Sequence, residues 1–138
     1  MARTPPRPRT ARRSPAPALR IVWTTVPPRR AGALADALVR ARVAACVQVL
    51  PGVRSVYRWK GAVERAAEAL LSIKTTRGAL PRCLAVLTRE HPYDVPEIVV
   101  VSPETVSAPY ARWVVDQIGP GPVEPVAGHD VRPARRPR

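Results

Sequence analysis

The chain has 138 residues, with 18 prolines, two cysteines and 23 Lys/Arg against 10 Asp/Glu, for a formal net charge of +13. That length fits one domain, no run reaches the ~18 apolar residues of a membrane span, and the N-terminal stretch lacks the apolar segment of about 7–15 residues found in a secretory signal. A cytoplasmic protein with no membrane partner is therefore expected.

The charge is unevenly placed. Residues 1–18 hold five arginines, five prolines and no acid; residues 119–138 hold four arginines, five prolines, Glu124 and Asp130. Both ends lack the periodic apolar residues that offset chain entropy and read as disordered tails. Residues 19–118 carry 14 basic and 8 acidic residues, a net of +6, and form the folding domain. An Arg/Pro-rich end can serve as a nucleic-acid arm or be drift at the start of a GC-rich coding sequence, and the second reading is preferred.

In chain order, RIVWTT at residues 20–25 is a short β-branched run suited to a first strand. Over residues 29–42, Ala31, Leu34, Ala35 and Leu38 recur at helical spacing, with Arg30, Asp36 and Arg40 on the wet side. Residues 44–50 read as a second, mostly buried strand, and a Pro51-Gly52 turn parts it from a further run. In that run, alternation puts Val53, Ser55, Tyr57 and Trp59 on one face and Arg54, Val56, Arg58 and Lys60 on the other. GAVERAAEALL has helical propensity, and only LLSIKTT looks like strand. A second helical stripe, Leu80, Cys83, Leu84 and Leu87, is stopped by Pro92. EIVVVS at residues 97–102 reads as the clearest buried strand, and residues 109–118 as a closing helix offering Trp113, Val114 and Gln117.

AACVQVLPGVRSVYRWKG at residues 44–61, IKTT at 73–76 and HPYDVPE at 91–97, in this order and spacing, resemble the CutA family of divalent-cation tolerance proteins, from about residue 20 to 118. The resemblance makes residues 66–76 a strand against local propensity. The order is then βαββαβ with a terminal helix, an α+β ferredoxin-like sandwich with helices on one sheet face. About 100 foldable residues bury a marginal core. The resemblance implies the remedy, a PII-like homotrimer with Tyr57 and Trp59 at subunit interfaces.

No nucleophile motif, P-loop or HExxH is present, and the only histidines are His91 and His129, so a non-enzymatic role is expected. No cofactor is required. Glu90, His91, Asp94 and Glu97 place three carboxylates and an imidazole within eight residues, a donor set for a divalent copper or zinc ion. They can equally be a helix end, where His91 suits the dipole, with the acids paired to arginines. The resemblance associates copper with a cysteine near the end of the first strand and a histidine pair before the Pro-Tyr step. Thr24, Glu90 and His91 stand at those positions, leaving harder donors than a thiolate. Cys46 is a further metal candidate, although both Cys46 and Cys83 are read as free packed thiols with no CxxC spacing.

Tyr57, Arg58, Trp59, Lys60 and Lys74 are candidates for a trimer interface or for an anion cleft between subunits, the second making the protein a PII-like small-molecule sensor. Alternation sets Tyr57 and Trp59 apart from Arg58 and Lys60 and favours the interface. Nucleic acid would act through the basic tails and is the less favoured partner.

Overall fold

The computed structural model describes residues 18–120, so the readings made for the two tails fall almost entirely outside the described residues. Seven elements follow in order. They are β1 Leu19–Val26, α1 Pro28–Arg40, β2 Cys46–Trp59, β3 Ala62–Thr76, α2 Leu80–Glu90, β4 Val99–Val101 and α3 Ala108–Gln117.

The strands lie in the order β2-β3-β1-β4, and each neighbouring pair is antiparallel. β1 and β2 are thus parallel with β3 between them, and β3 and β4 are parallel with β1 between them. These two interleaved crossovers are the split βαβ arrangement expected of a ferredoxin-like sandwich.

Side chains alternate across the strands, so register assigns each residue to a face. Val22 lies opposite Ile73, Thr24 opposite Leu71 and Val26 opposite Ala69. Val22, Val26, Ala69, Leu71 and Ile73 pack with Ala31, Leu34 and Leu38 of α1 and Cys83, Val86 and Leu87 of α2 as one buried core. Both helical stripes read from the sequence therefore cover this face. α3 buries Ala111 and Val114 against Leu19 and Ala45 in a smaller cluster. Its Trp113 is 44% exposed, because the helix turns Ala111 and Val114 inward.

Three local readings are corrected. Residues 46–59 form one strand, and Pro51-Gly52 is a bulge within it: Leu50 pairs with Leu70 but Val53 with Glu68, so one strand advances three residues against two. The missing proline donor and the φ of +75° at Gly52 suit an extra, unpaired residue pair better than a strand interior. The chain reverses at Lys60-Gly61 instead, where φ values of +48° and +81° meet the demand of a two-residue hairpin turn. Pairing with β2 also carries β3 back to Ala62, overriding the helical propensity of the alanine- and glutamate-rich segment.

The last correction concerns β4, which spans three residues at the sheet edge, with Val99 44% and Val100 38% exposed. With a partner on one side only, its valines are not covered in a single chain.

Cys46 and Cys83 are both free. Burial pushes the Cys83 thiol up to about 12, with the Thr75 hydrogen bond and the Arg82 charge opposing. A native pKa raised above its ordinary value gives stability that is fully present below about pH 9 and lost as pH rises toward 12. Wild type is therefore expected to lose about 1.4 kcal/mol per pH unit over that window relative to Cys83→Val. Urea unfolding of both proteins at stepped pH measures it, and parallel pH profiles would contradict it.

Candidate functional site

The bulge inverts the alternation of β2, so Val53, Ser55, Tyr57 and Trp59 lie on the face away from α1 and α2, with Glu68 of β3 beside them. β1 stops at Val26, and Glu68 lies just past that end. The segment 91–98, which follows α2, carries the side chains that meet this region.

Pro92 ends α2 and leaves His91 in an extended conformation at the helix terminus. The ring is buried, 8% exposed. Its Nδ1 accepts the backbone N–H of Tyr93 at 3.1 Å, which puts the proton of the neutral ring on Nε2. Nε2 then donates to the Thr25 carbonyl at 3.1 Å and lies 2.9 Å from the Thr24 hydroxyl. Two residues on, the Tyr93 hydroxyl donates to Glu68 Oε1 at 2.7 Å, and the Ser55 hydroxyl donates to Oε2 of the same carboxylate. Thr25 Oγ1 donates to Glu97 Oε2 at 3.0 Å. One loop is thus tied to β1, β2 and β3 by hydrogen bonds centred on two buried polar groups, His91 and Glu68.

This arrangement separates the residues read as metal ligands. His91 turns inward and uses both ring nitrogens, whereas Glu90, Asp94 and Glu97 are exposed. Glu90 pairs with Arg89 at 3.1 Å and Glu97 takes the Thr25 proton. Cys46 is half-buried in β2 opposite Lys74, on another part of the sheet rather than in the core. Among the described residues no three His, Cys, Asp or Glu side chains converge in a geometry able to hold a metal ion. The expected single-chain cluster is not assembled, because the helix end directs its imidazole and its carboxylates to different surroundings. Thr24 and His91, two of the positions to which the family resemblance assigns copper ligands, do meet, with a hydroxyl where the resemblance calls for a thiol.

The proposed cleft residues are also dispersed within one chain. Tyr57 and Trp59 are half-buried, Arg58 is exposed on the opposite face, and Lys60 forms the turn. Lys74 lies ten residues along β3 from Glu64, the partner of Tyr57, or roughly 33 Å. Its ammonium donates to Gln48 Oε1 and to Ser72 Oγ, and burial lowers its pKa, with Cys46 opposing.

The residues missed from sequence are Glu68, Ser55, Thr25 and Tyr93. The signal lay in the parity of β3. Once residues 62–76 are extended, Glu68 falls in line with Leu70 and Ser72 on a sheet face, an unusual place for a carboxylate without a donor.

The same face, away from α1 and α2, is largely uncovered. Trp23 is 41%, Leu50 46% and Val99 44% exposed, and Leu70 and Val101 lie among them. Tyr110 and Trp113 stack at 5.7 Å, both exposed.

A four-stranded antiparallel sheet with split βαβ crossovers, helices on one face and a terminal helix defines a ferredoxin-like α+β protein of the PII-like kind. The chain matches the CutA1 divalent ion tolerance protein family over residues 20–117, and it belongs to that family. It is 41% identical over 100 residues to the divalent-cation tolerance protein CutA of Thermus thermophilus, covering 72% of this chain and 97% of that one. Against the chloroplastic protein CutA of Arabidopsis thaliana it is 40% identical over 95 residues, covering 68% of this chain but only 52% of that one. The chain thus spans about half the length of that plant relative. Among solved structures, Thermus thermophilus CutA1 superposes with a TM-score of 0.70 at 40% identity, covering 73% and 99% of the two chains. The PII-like protein CutA of Nostoc superposes with a TM-score of 0.69 at 31% identity, covering 72% and 97%. Among the described residues no helix is long and apolar enough to cross a membrane.

Proposed function

We propose that this chain serves divalent-metal tolerance as a non-enzymatic, cytoplasmic homotrimer whose sheets close on one another, and that it takes divalent copper or zinc at exposed carboxylates that do not converge within one chain and so act only in the assembled protein. The observation that carries this reading is the uncovered sheet face. One side of the sheet is sealed by α1 and α2, while Trp23, Leu50 and Val99 on the other stay more than two-fifths exposed. A domain of this size gains by covering such a face, and a closed ring of identical copies does so without leaving an open edge.

The family supports the link to metal. The donor chemistry supports hard oxygen ligands: Thr24 offers no thiolate, and Glu90, Asp94 and Glu97 are exposed oxygens suited to Cu(II) or Zn(II) rather than Cu(I). A non-enzymatic role is supported by the engagement of both His91 nitrogens and by the Cys83 thiol, which burial keeps protonated.

Light scattering of the full chain is expected to give three times the 15.0 kDa chain mass, and Trp23→Asp is expected to give a smaller species. Calorimetric titration with Cu(II) is expected to show saturable binding that a Glu90→Gln, Asp94→Asn, Glu97→Gln variant loses. A monomeric wild type would sink the assembly, and unchanged copper uptake in the triple variant would sink the metal assignment.

A further inference from the structure

The β2–β3 hairpin carries a second feature, on the face opposite Tyr57 and Trp59. Register places Arg54 opposite Ala67, Val56 opposite Arg65 and Arg58 opposite Val63, so three arginines and two valines share one face of the ribbon. No carboxylate shares it: Glu64 and Glu68 point to the other side by the same alternation. The Arg89–Glu90 ion pair lies far from this face in sequence, and among the described residues the nearest carboxylates along the ribbon, Glu64 and Glu68, are on its other side. Arg58 is partly committed, donating to the Gly61 carbonyl at 3.3 Å.

Arg54 and Arg65 stand on the diagonal of the ladder, where Cβ atoms are about 7–8 Å apart and long side chains reach each other. Two exposed cations on one face with no carboxylate beside them offer a doubled positive site that a single anion can bridge. Between them lies an open groove of about 360 Å³ lined by both arginines, Ser55, Val56, Ala66 and Ala67. Its size lies in the range of small-molecule sites, and its floor is small and apolar. Guanidinium forks match a phosphoryl group bidentately, and two of them balance a dianion rather than a single carboxylate.

We infer that the Arg54–Arg65 groove binds a small phosphoryl dianion, with Val56 and Ala67 on the same face receiving the less polar remainder of a phosphorylated metabolite. This site is independent of the metal assignment and shares no residue with it.

The test uses the full chain and inorganic pyrophosphate by calorimetry in 150 mM salt, with acetate as the carboxylate comparison. The basic ends could attract any polyanion, so an Arg12→Gln, Arg13→Gln variant controls for loss of charge alone. The expected result is saturable pyrophosphate binding, one per chain, weakened at least about tenfold in an Arg54→Gln, Arg65→Gln variant and within about twofold of wild type in the tail variant. Arg→Lys at both positions, which keeps charge but not the fork, is expected to lie between. Because these side chains are exposed, the melting temperature and the oligomeric mass of the groove variant are expected to stay unchanged. Equal losses in groove and tail variants, acetate binding as tight as pyrophosphate, no saturable binding, or a changed mass for the groove variant would each overturn the assignment.

Discussion

Replacing Leu71 by alanine is expected to lower the unfolding free energy by about 2–5 kcal/mol, the range for deleting a fully buried aliphatic side chain. Leu71 is 0% exposed and sits in β3, the strand hydrogen-bonded to both β2 and β1. Its cross-strand partners are Val49 and Thr24, and it belongs to the same core as Leu38 of α1 and Leu87 of α2. A cavity there has walls on every side, and two strands and two helices cannot all move in to fill it. Leu71→Met, which nearly conserves volume, is expected to cost less than about 1.5 kcal/mol. Guanidinium unfolding of the full chain at fixed protein concentration reads both. A loss below about 1 kcal/mol for the alanine variant would show that the site collapses, and with it that the helices are not packed on this strand as described.

Removing the Glu68 side chain, as alanine, is expected to cost about 3 kcal/mol and to loosen the loop at residues 91–98. The carboxylate is 1% exposed and receives the hydroxyls of Tyr93 and Ser55, so its loss strands two donors in a region with little water. Each stranded donor costs about 1–3 kcal/mol. Glu68→Gln keeps an acceptor oxygen and the shape, and should recover more than half of the loss. Hydrogen exchange adds a readout that a mere packing defect would not give: faster exchange confined to the Tyr93 amide and its neighbours. If Glu68→Ala is no worse than Glu64→Ala, an exposed carboxylate on the same strand, the loop is held by the His91 and Glu97 contacts to β1 rather than by Glu68.

Much of this architecture was legible in the sequence because it is written in periodicities. The stripes of Ala31, Leu34 and Leu38 and of Cys83 and Leu87 bury as their spacing requires, and Tyr57 and Trp59 alternate with Arg58 as a strand dictates. What misled was local chemistry whose meaning depends on a partner distant in the chain. Pro51-Gly52 has the composition of a turn, and only pairing with residues 68–70 makes it a bulge. The valines of residues 99–101 have the composition of an interior strand, and only their edge position leaves them exposed. His91, Asp94 and Glu97 have the composition of a ligand set, yet Thr24, Thr25 and Tyr93 claim the imidazole. Glu68 was invisible for the same reason: its partners are 13 and 25 residues away, and no motif announces them.

The interleaving of the strands also bears on how the chain reaches this state. The two-residue turn at Lys60-Gly61 closes the β2–β3 ribbon with almost no loop entropy, so this ribbon can form early and alone. β1 must then enter beside β3, pairing Leu19 with Thr76, and its other edge waits for β4, which pairs Ile21 with Val101. The N-terminal strand is therefore the central stave of the sheet but cannot find both neighbours until the chain has been made through residue 101. On a ribosome, β1 can dock on β3 once the β2–β3 ribbon has emerged, but its other edge stays open until β4 follows, and an open edge rich in β-branched residues needs protection from its copies on neighbouring chains.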